Sequence, residues 1–491
     1  MVGQAEHTLG KNSKSQASRS TGRGGARPLR GVTACRWFFK FLTDPLRCLR
    51  DAHKTFGNVA GLGEPIPRRR ERLYILALGT DNNRIVFSQP ELFRTTGQGV
   101  SGRHGSALRR MRYGMTRIQG ERHRNQRDLV MPAFQKRAVD SYCPSMVDST
   151  RQVLDGWSMG STVDIHMELR RITLRLSSNI LFRREDPERS VHLGKLMGEY
   201  LRKSFSTGVV LFPMNVWGMP MRRLQKHAQT VEREVLAMLA EKRARLASGK
   251  HDPSDVIAML VKAYDDGHEW IRDDDLIGQS VILFAASYET LATSLTWTLF
   301  LLEQHPAVLA DLKDEIDATL NGNDPTPEHL ERMPLLLAVA KESMRVLPPV
   351  PYTIRTVTGD TQLGDYQLKD RDRVVCSHYI THHLPDLYPQ PEKFDPRRWE
   401  TIKPTQYEYL PFSAGPRACI GYRYAMQAIR VILCMVLNRF SPKLVPGTRI
   451  DPLVKVTMSS KRGMPMLLRD RREHGDATPV HGRIRELVDL V

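Results

Sequence analysis

Apolar positions recur with the period of a helix through most of the chain between Gly120 and Glu400. EREVLAMLAEKRARLA (232–247) and PAVLADLKDEIDATL (306–320) each put an apolar stripe on one face and charges on the other. LIGQSVILFAASYETLATSLTWTLFLLEQ (276–304) is apolar almost all round, the pattern of a long helix buried in a core. Elsewhere the period shortens. YILALGT, with Leu73 before it, reads as a short apolar strand, and DNNRIVFSQPELF (81–93) as a helix opening near Asp81 with a turn at Pro90. β-branched runs gather later, in TIRTVTGD (353–360), DRVVCSHYI (372–380) and VKVTMSS (454–460). The pattern predicts a mainly α fold with a minor β region, as one large domain over residues 32–470, without repeats or long linkers.

The two ends differ from this body. Residues 1–31 are rich in Ser, Gly, Lys and Arg, carry one acid (Glu6), and lack the apolar content to fold, so a disordered basic tail is expected. Residues 471–491 read as a charged C-terminal extension with a short amphipathic end, IRELVDLV. No apolar run reaches 18 residues, so no transmembrane helix is expected. The six cysteines lack paired spacing, which predicts free thiols in a reducing compartment and a cytoplasmic protein. A net charge of +19 suits an anionic partner, but no zinc-ligand spacing or RNA-binding aromatic motif supports nucleic acid.

Two motif-like stretches read better as something else. GQGVSG (97–102) matches a dinucleotide-loop spacing, but PELFRTT precedes it where a strand is needed and no helix opens at it, so a loop is expected. The histidines of CSHYITHH (376–383) mimic metal-ligand spacing; the strand-like composition around His378 argues against the helical i,i+4 geometry two ligands would need.

PFSAGPRACIGYR (411–423) is different. Cys419 sits just ahead of an apolar helical pattern, where a helix N-terminus favours a thiolate. Gly415 and Gly421 let backbone pass close to a flat ligand or aim N–H groups at the sulfur, Arg417 can reach a carboxylate at that ligand's edge, and Phe412 can cover it. A buried structural cysteine accounts for Cys419 alone, not for the set.

FSAGPRACIG resembles, at every fixed position, the F-x-x-G-x-R-x-C-x-G haem loop of the cytochrome P-450 family. Three further stretches match in the family's order, and the likeness spans about residues 32–470. KESMRVLPP holds Glu342 and Arg345 at i,i+3, and FDPRRW supplies Arg398; the resemblance makes these three a structural triad supporting the cysteine loop. AASYETLATSLTW (285–297) keeps the family's acid and threonine, Glu289 and Thr290, but has Ser287 where the family has glycine. GERHRNQRDLVMPAF (120–134) places His123 and Arg127 on one helical face. With Arg355 and Arg417 they are the expected partners of the haem propionates.

The resemblance implies haem b held by Cys419 as metal ligand, with His123, Arg127, Arg355, Phe412, Arg417 and Gly421 as cofactor-binding residues. It implies a monooxygenase inserting one oxygen atom of O2 into an apolar small molecule, by hydroxylation or epoxidation, with Glu289 and Thr290 as catalytic proton-relay residues. With no reductase domain in the chain, electrons are expected from an acidic ferredoxin or flavodoxin-type donor with its reductase, docking near Arg122, Arg124, Arg423 and Arg430. VVLFPMNVWGMPMRR (209–223) is expected to roof an apolar pocket and to contact a membrane surface peripherally. Phe284, Ala286, Val350, Met458 and part of 97–112 are the expected pocket lining. The alternatives are a haem-thiolate isomerase, dehydratase or peroxygenase acting without a reductase, and a non-catalytic haem sensor.

Overall fold

A computed structural model describes residues 29–490 apart from 64–71, 97–101, 183–185, 207, 210–213, 250–254 and 474. Nearly all of the expected basic tail and of GQGVSG lies outside these residues.

The all-round apolar pattern is a helix over Asp273–Gln304, hereafter the central helix. Three acids, Asp273, Asp274 and Asp275, occupy its first turn, where the helix dipole favours negative charge. It ends at His305, where Pro306 opens the next helix and cannot continue this one. From Leu291 to Gln304 every residue is buried. Around it pack the helices Ile165–Leu181, Pro334–Val346 and Tyr422–Arg439.

The minor β region is chiefly a five-stranded sheet, in the order Val59–Gly63, Leu73–Ala77, Arg373–Ser377, Tyr352–Val357, Phe93–Thr95. Only the second and third strands pair in parallel. Thr95 lies opposite Arg355, so this sheet positions one of the predicted site residues. VKVTMSS forms most of a small hairpin, Pro452–Val454 against Met458–Ser460.

Two expectations change. DRVVCSHYI is not strand throughout: the strand stops at Ser377, whose hydroxyl caps the short helix His378–His382 by accepting from Ile380 N at 3.1 Å. His378 and His382 therefore do stand four apart on a helix, yet no metal-ligating cluster occurs among the described residues. Second, the C-terminal residues are not a loose extension. Val480, Ile484, Leu487 and Val488 are buried in the main core. Buried Glu303 accepts from the Thr478 amide at 3.1 Å and its hydroxyl at 2.7 Å. No helix among the described residues is long and apolar enough to cross a membrane. Of the expected pocket roof, residues 209 and 214–223 are described; Met214, Val216 and Trp217 are exposed, while Val209 and Met221 are buried.

Candidate active site

The cysteine loop is held from below. Gly415 has φ +68, and a Cβ there would lie 2.2 Å from the Phe87 carbonyl oxygen, so only glycine allows the loop to sit on the helix Thr80–Ser88. Cys419 N donates to the Phe412 carbonyl at 2.8 Å, closing the loop, and Phe412 meets Tyr422 edge-on at 4.9 Å. Cys419 remains accessible although protein surrounds it, the position of a group on the wall of a cleft. Burial pushes its thiol pKa up, opposed by the Gly421 N–H and Arg127. Metal coordination would deprotonate this thiol.

Facing that loop is a group of basic side chains. His123 is buried, and its pKa is lowered to about 4 by burial and then by Arg417, Arg127 and Arg124. Arg417 is lowered to about 10 by burial, Arg355 and Arg127. Arg355 is buried, lies over the Phe87 ring at 5.2 Å, and leaves its Nε without a hydrogen-bond partner. Among the described residues no carboxylate lies within ion-pair distance of Arg127, Arg355, Arg417 or His123. Buried cations without counter-charges are costly unless a ligand supplies the charge. The donor set fits two carboxylates at the edge of a flat group whose metal meets Cys419, as haem requires. Arg417 is aimed by two groups the sequence did not reveal, the Met115 carbonyl (3.1 Å) and Gln119 Oε1 (2.6 Å). Gln119 in turn donates to the Thr95 carbonyl at 2.8 Å, tying this arginine to the strand beside Arg355.

On the central helix, Ile282, Ala286 and Thr290 are accessible at i, i+4 and i+8, with Ala285, Ser287 and Glu289 beside them, while the C-terminal half is buried. That stripe is the open face of an otherwise enclosed helix. Ala286 lies on it. Phe284, expected in the pocket lining, does not: about 200° round the helix from Ala286, it stacks between Phe182 (5.6 Å) and Tyr288 (5.3 Å). Met458 is also buried, its carbonyl accepting from Trp297 Nε1 at 2.6 Å. Val350 is half-buried. Ser287 bonds back to the Phe284 carbonyl at 3.1 Å, and the helix stays α-helical through it. Thr290 bonds the Ala286 carbonyl at 2.5 Å. Glu289 turns to the helix Ile165–Leu181, with Oε2 3.2 Å from Arg170 Nε and Oε1 3.9 Å from His166 Nε2. Burial raises its pKa, against Arg170.

Below the loop, Glu342 and Arg345 are fully buried and Arg398 nearly so. Glu342 Oε1 accepts from Arg345 Nη2 (2.9 Å), Arg398 Nε (2.8 Å) and Asp395 N (3.0 Å); Oε2 accepts from Arg345 Nε (2.9 Å) and Trp399 Nε1 (3.0 Å). Trp399 is thus a fourth member that the i,i+3 reading missed. His382 carries the network to the loop. The Leu410 amide donates to its Nε2 at 2.7 Å, so Nδ1 holds the proton and donates to the Arg345 carbonyl at 3.2 Å. Of the four arginines expected to face a redox donor, Arg124 and Arg423 are exposed. Arg122 instead binds Asp275 at 2.6 Å, and Arg430 the Leu330 carbonyl at 3.1 Å.

The sequence model of the family described as Cytochrome P450 matches residues 80–465. Two relatives from Streptomyces melanosporofaciens are similar: cyclooctat-9-en-7-ol 5-monooxygenase, 29% identical over 68% of this chain and 73% of its own, and cyclooctatin synthase, 30% identical over 69% and 74%. Among solved structures, the retinoic acid bound cyanobacterial CYP120A1 shares the fold, with a TM-score of 0.75 and 24% identity over 88% of this chain and 96% of that one. The protein belongs to the cytochrome P450 family, and is a haem-dependent monooxygenase.

Proposed function

We propose that this chain inserts one oxygen atom of O2 into an apolar, hydrocarbon-rich small molecule, using electrons from a separate acidic ferredoxin or flavodoxin-type protein in the cytoplasm. The observation that carries the reading is the pairing of two features: a cysteine on a cleft wall ringed by uncompensated cations, and a central helix whose only open stripe runs through Ala286 and Thr290. The relative named for cyclooctat-9-en-7-ol favours a cyclic alkenol or similar terpenoid-like substrate. When bound, haem supplies O2 activation and the oxidising power. Cys419 would hold its iron; His123, Arg127, Arg355 and Arg417 would hold its carboxylates; Phe412 and Gly421 shape the loop. Thr290 holds a hydroxyl proton on the open stripe, and Glu289 one turn-face away supplies a proton to it. Glu342, Arg345 and Arg398 keep the loop in one geometry. Exposed Arg124 and Arg423 supply the positive face for the donor.

The test compares Thr290→Ala, Ser287→Gly and the double variant by product formed per reductant consumed. Thr290→Ala is expected to bind haem and substrate normally while losing coupling and releasing peroxide. Full coupling in the double variant would remove the monooxygenase relay and favour a peroxide-using or isomerase activity.

A further inference from the structure

A chain of buried amides runs from the first turn of the central helix to the arginine beside Cys419. At its far end Asp275, fully buried, accepts on Oδ2 from Arg122 Nη2 (2.6 Å), Gln126 Nε2 (2.9 Å) and the Arg272 amide (2.9 Å). Paired with Arg122, this carboxylate can only accept. Gln126, on the helix Gly120–Val130, must therefore turn its NH2 to Asp275 and its oxygen away. That oxygen accepts from Gln279 Nε2 at 2.6 Å, which leaves Gln279 Oε1 to accept from the Met115 amide at 3.1 Å. The Met115 carbonyl in turn accepts from Arg417 Nη1 at 3.1 Å. Gln126 and Gln279 are both fully buried. Reversing Gln126 would set its oxygen against the carboxylate, and reversing Gln279 would set its NH2 against the Met115 N–H. One carboxylate thus sets the polarity of three successive links. Two glycines bring Met115 within reach of Gln279. A Cβ at Gly114 would lie 2.4 Å from Ile282 Cγ2, and one at Gly278 2.4 Å from the Tyr113 carbonyl carbon.

We infer that Gln126 and Gln279 are positioning residues for the cofactor's carboxylate edge: they fix Met115, and Met115 together with Gln119 aims Arg417. The aim has to be held. Arg355 and Arg127 stand close enough to repel Arg417, and burial disfavours its charge, so an untethered guanidinium would turn towards water. Two fixed acceptors oppose this, the Met115 carbonyl on Nη1 and Gln119 Oε1 on Nη2 at 2.6 Å. They occupy two of the five N–H groups and leave the others for a carboxylate. Gln119 is tied to the sheet through the Thr95 carbonyl. Met115 is tied to the central helix through Gln279, three residues before Ile282 on the open stripe. The arginine is therefore located against both the sheet that carries Arg355 and the helix that carries Thr290.

The inference rests on Arg417 binding a haem carboxylate, and a double-variant cycle separates the two. Gln279→Met and Gln126→Met keep the side-chain length and remove the hydrogen bonds. Each is made alone and in an Arg417→Gln background. In the haem-loaded protein, the rate of haem transfer to apomyoglobin and the reduction midpoint of the substrate-free haem are measured. Gln279→Met is expected to speed haem transfer about tenfold, the scale of one hydrogen bond to a charged group. It should also lower the midpoint, because a cation turned away no longer favours the less positive, reduced iron. In the Arg417→Gln background neither glutamine variant should add a further change. If Arg417→Gln alone alters neither readout, the carboxylate-binding reading of Arg417 fails and the inference with it. If Arg417→Gln alters both while the glutamine variants alter neither, or alter them by the same factor in both backgrounds, the amides do not act through Arg417. Gln126→Met, one link further from the arginine, carries the test if Gln279→Met does not fold.

Discussion

Replacing Glu342 by alanine tests how the cysteine loop is supported. The carboxylate accepts five hydrogen bonds, three of them from Arg345 and Arg398. Arg345 also donates to the carbonyls of His382 (2.8 Å), Pro391 (2.8 Å) and Lys393 (2.9 Å), and Arg398 Nη1 to that of Pro389 (2.8 Å). Those carbonyl bonds keep both guanidinium groups inside when Glu342 is removed, so the cations cannot swing out to water. Breaking a buried pair in this way costs about 3–5 kcal/mol, against a typical total stability of about 5–15 kcal/mol. Trp399→Phe removes one charge-assisted bond and keeps the ring packed against Tyr409, so about 1.5–3 kcal/mol is expected. Arg398→Lys should fall between, because an ammonium cannot reach Glu342 and Pro389 in the same fork geometry. The assay is the urea midpoint, read by circular dichroism, together with haem per soluble protein. The expected order of loss is Glu342→Ala, then Arg398→Lys, then Trp399→Phe. A Glu342→Ala protein within about 1 kcal/mol of wild type, with full haem content, would refute the reasoning, since that is the scale of an exposed pair.

Cys419→Ala should abolish the thiolate-type spectrum of the reduced carbon monoxide complex, and survival of that spectrum would move the ligand to another cysteine. Acid should destabilise the fold through histidines held neutral: burial lowers His378 to about 4 and His383 to about 3, and puts His382 well below its ordinary value. Their folded pKa values lie below the unfolded one. Their contribution is thus full above about pH 6.5 and is lost as pH falls towards 4, at about 1.4 kcal/mol per pH unit per histidine. His378→Phe should make thermal unfolding between pH 6.5 and 4.5 less steep in pH by one such increment, and an unchanged slope would mean His378 is not held neutral.

The fold class and the loop chemistry were legible because both depend on local pattern. An all-round apolar run of such length can only be a buried helix, and the close seat of Gly415 on Phe87 is the kind of contact that leaves a glycine behind in the sequence. What stayed hidden depends on which way a side chain leaves its helix within a crowded neighbourhood. Phe284 and Ala286 are two residues apart and equally apolar, yet one is in a ring stack and the other on the open stripe. His378 was read through its strand-like neighbours, but Ser377 offered a hydroxyl cap and the chain took the helix. IRELVDLV looked like a tail because its three buried side chains, Ile484, Leu487 and Val488, find their partners far away in sequence.

The same limit explains why His382 was taken for a metal mimic when its work is mechanical. Its spacing from His378 is real, but both of its nitrogens are used, one by Leu410 and one by Arg345. A ring so engaged cannot ligate anything; it can only transmit position. Leu410 lies nine residues before Cys419, and Tyr409 beside it stacks on His382 at 5.5 Å and donates to the Lys341 carbonyl at 2.9 Å. The chain entering the cysteine loop is therefore fastened to the helix Pro334–Val346 at two successive residues, and Glu342 locks that helix to Arg398. The buried charges thus do not add stability so much as remove alternatives, since any other loop position would strand a guanidinium or an imidazole without its partner.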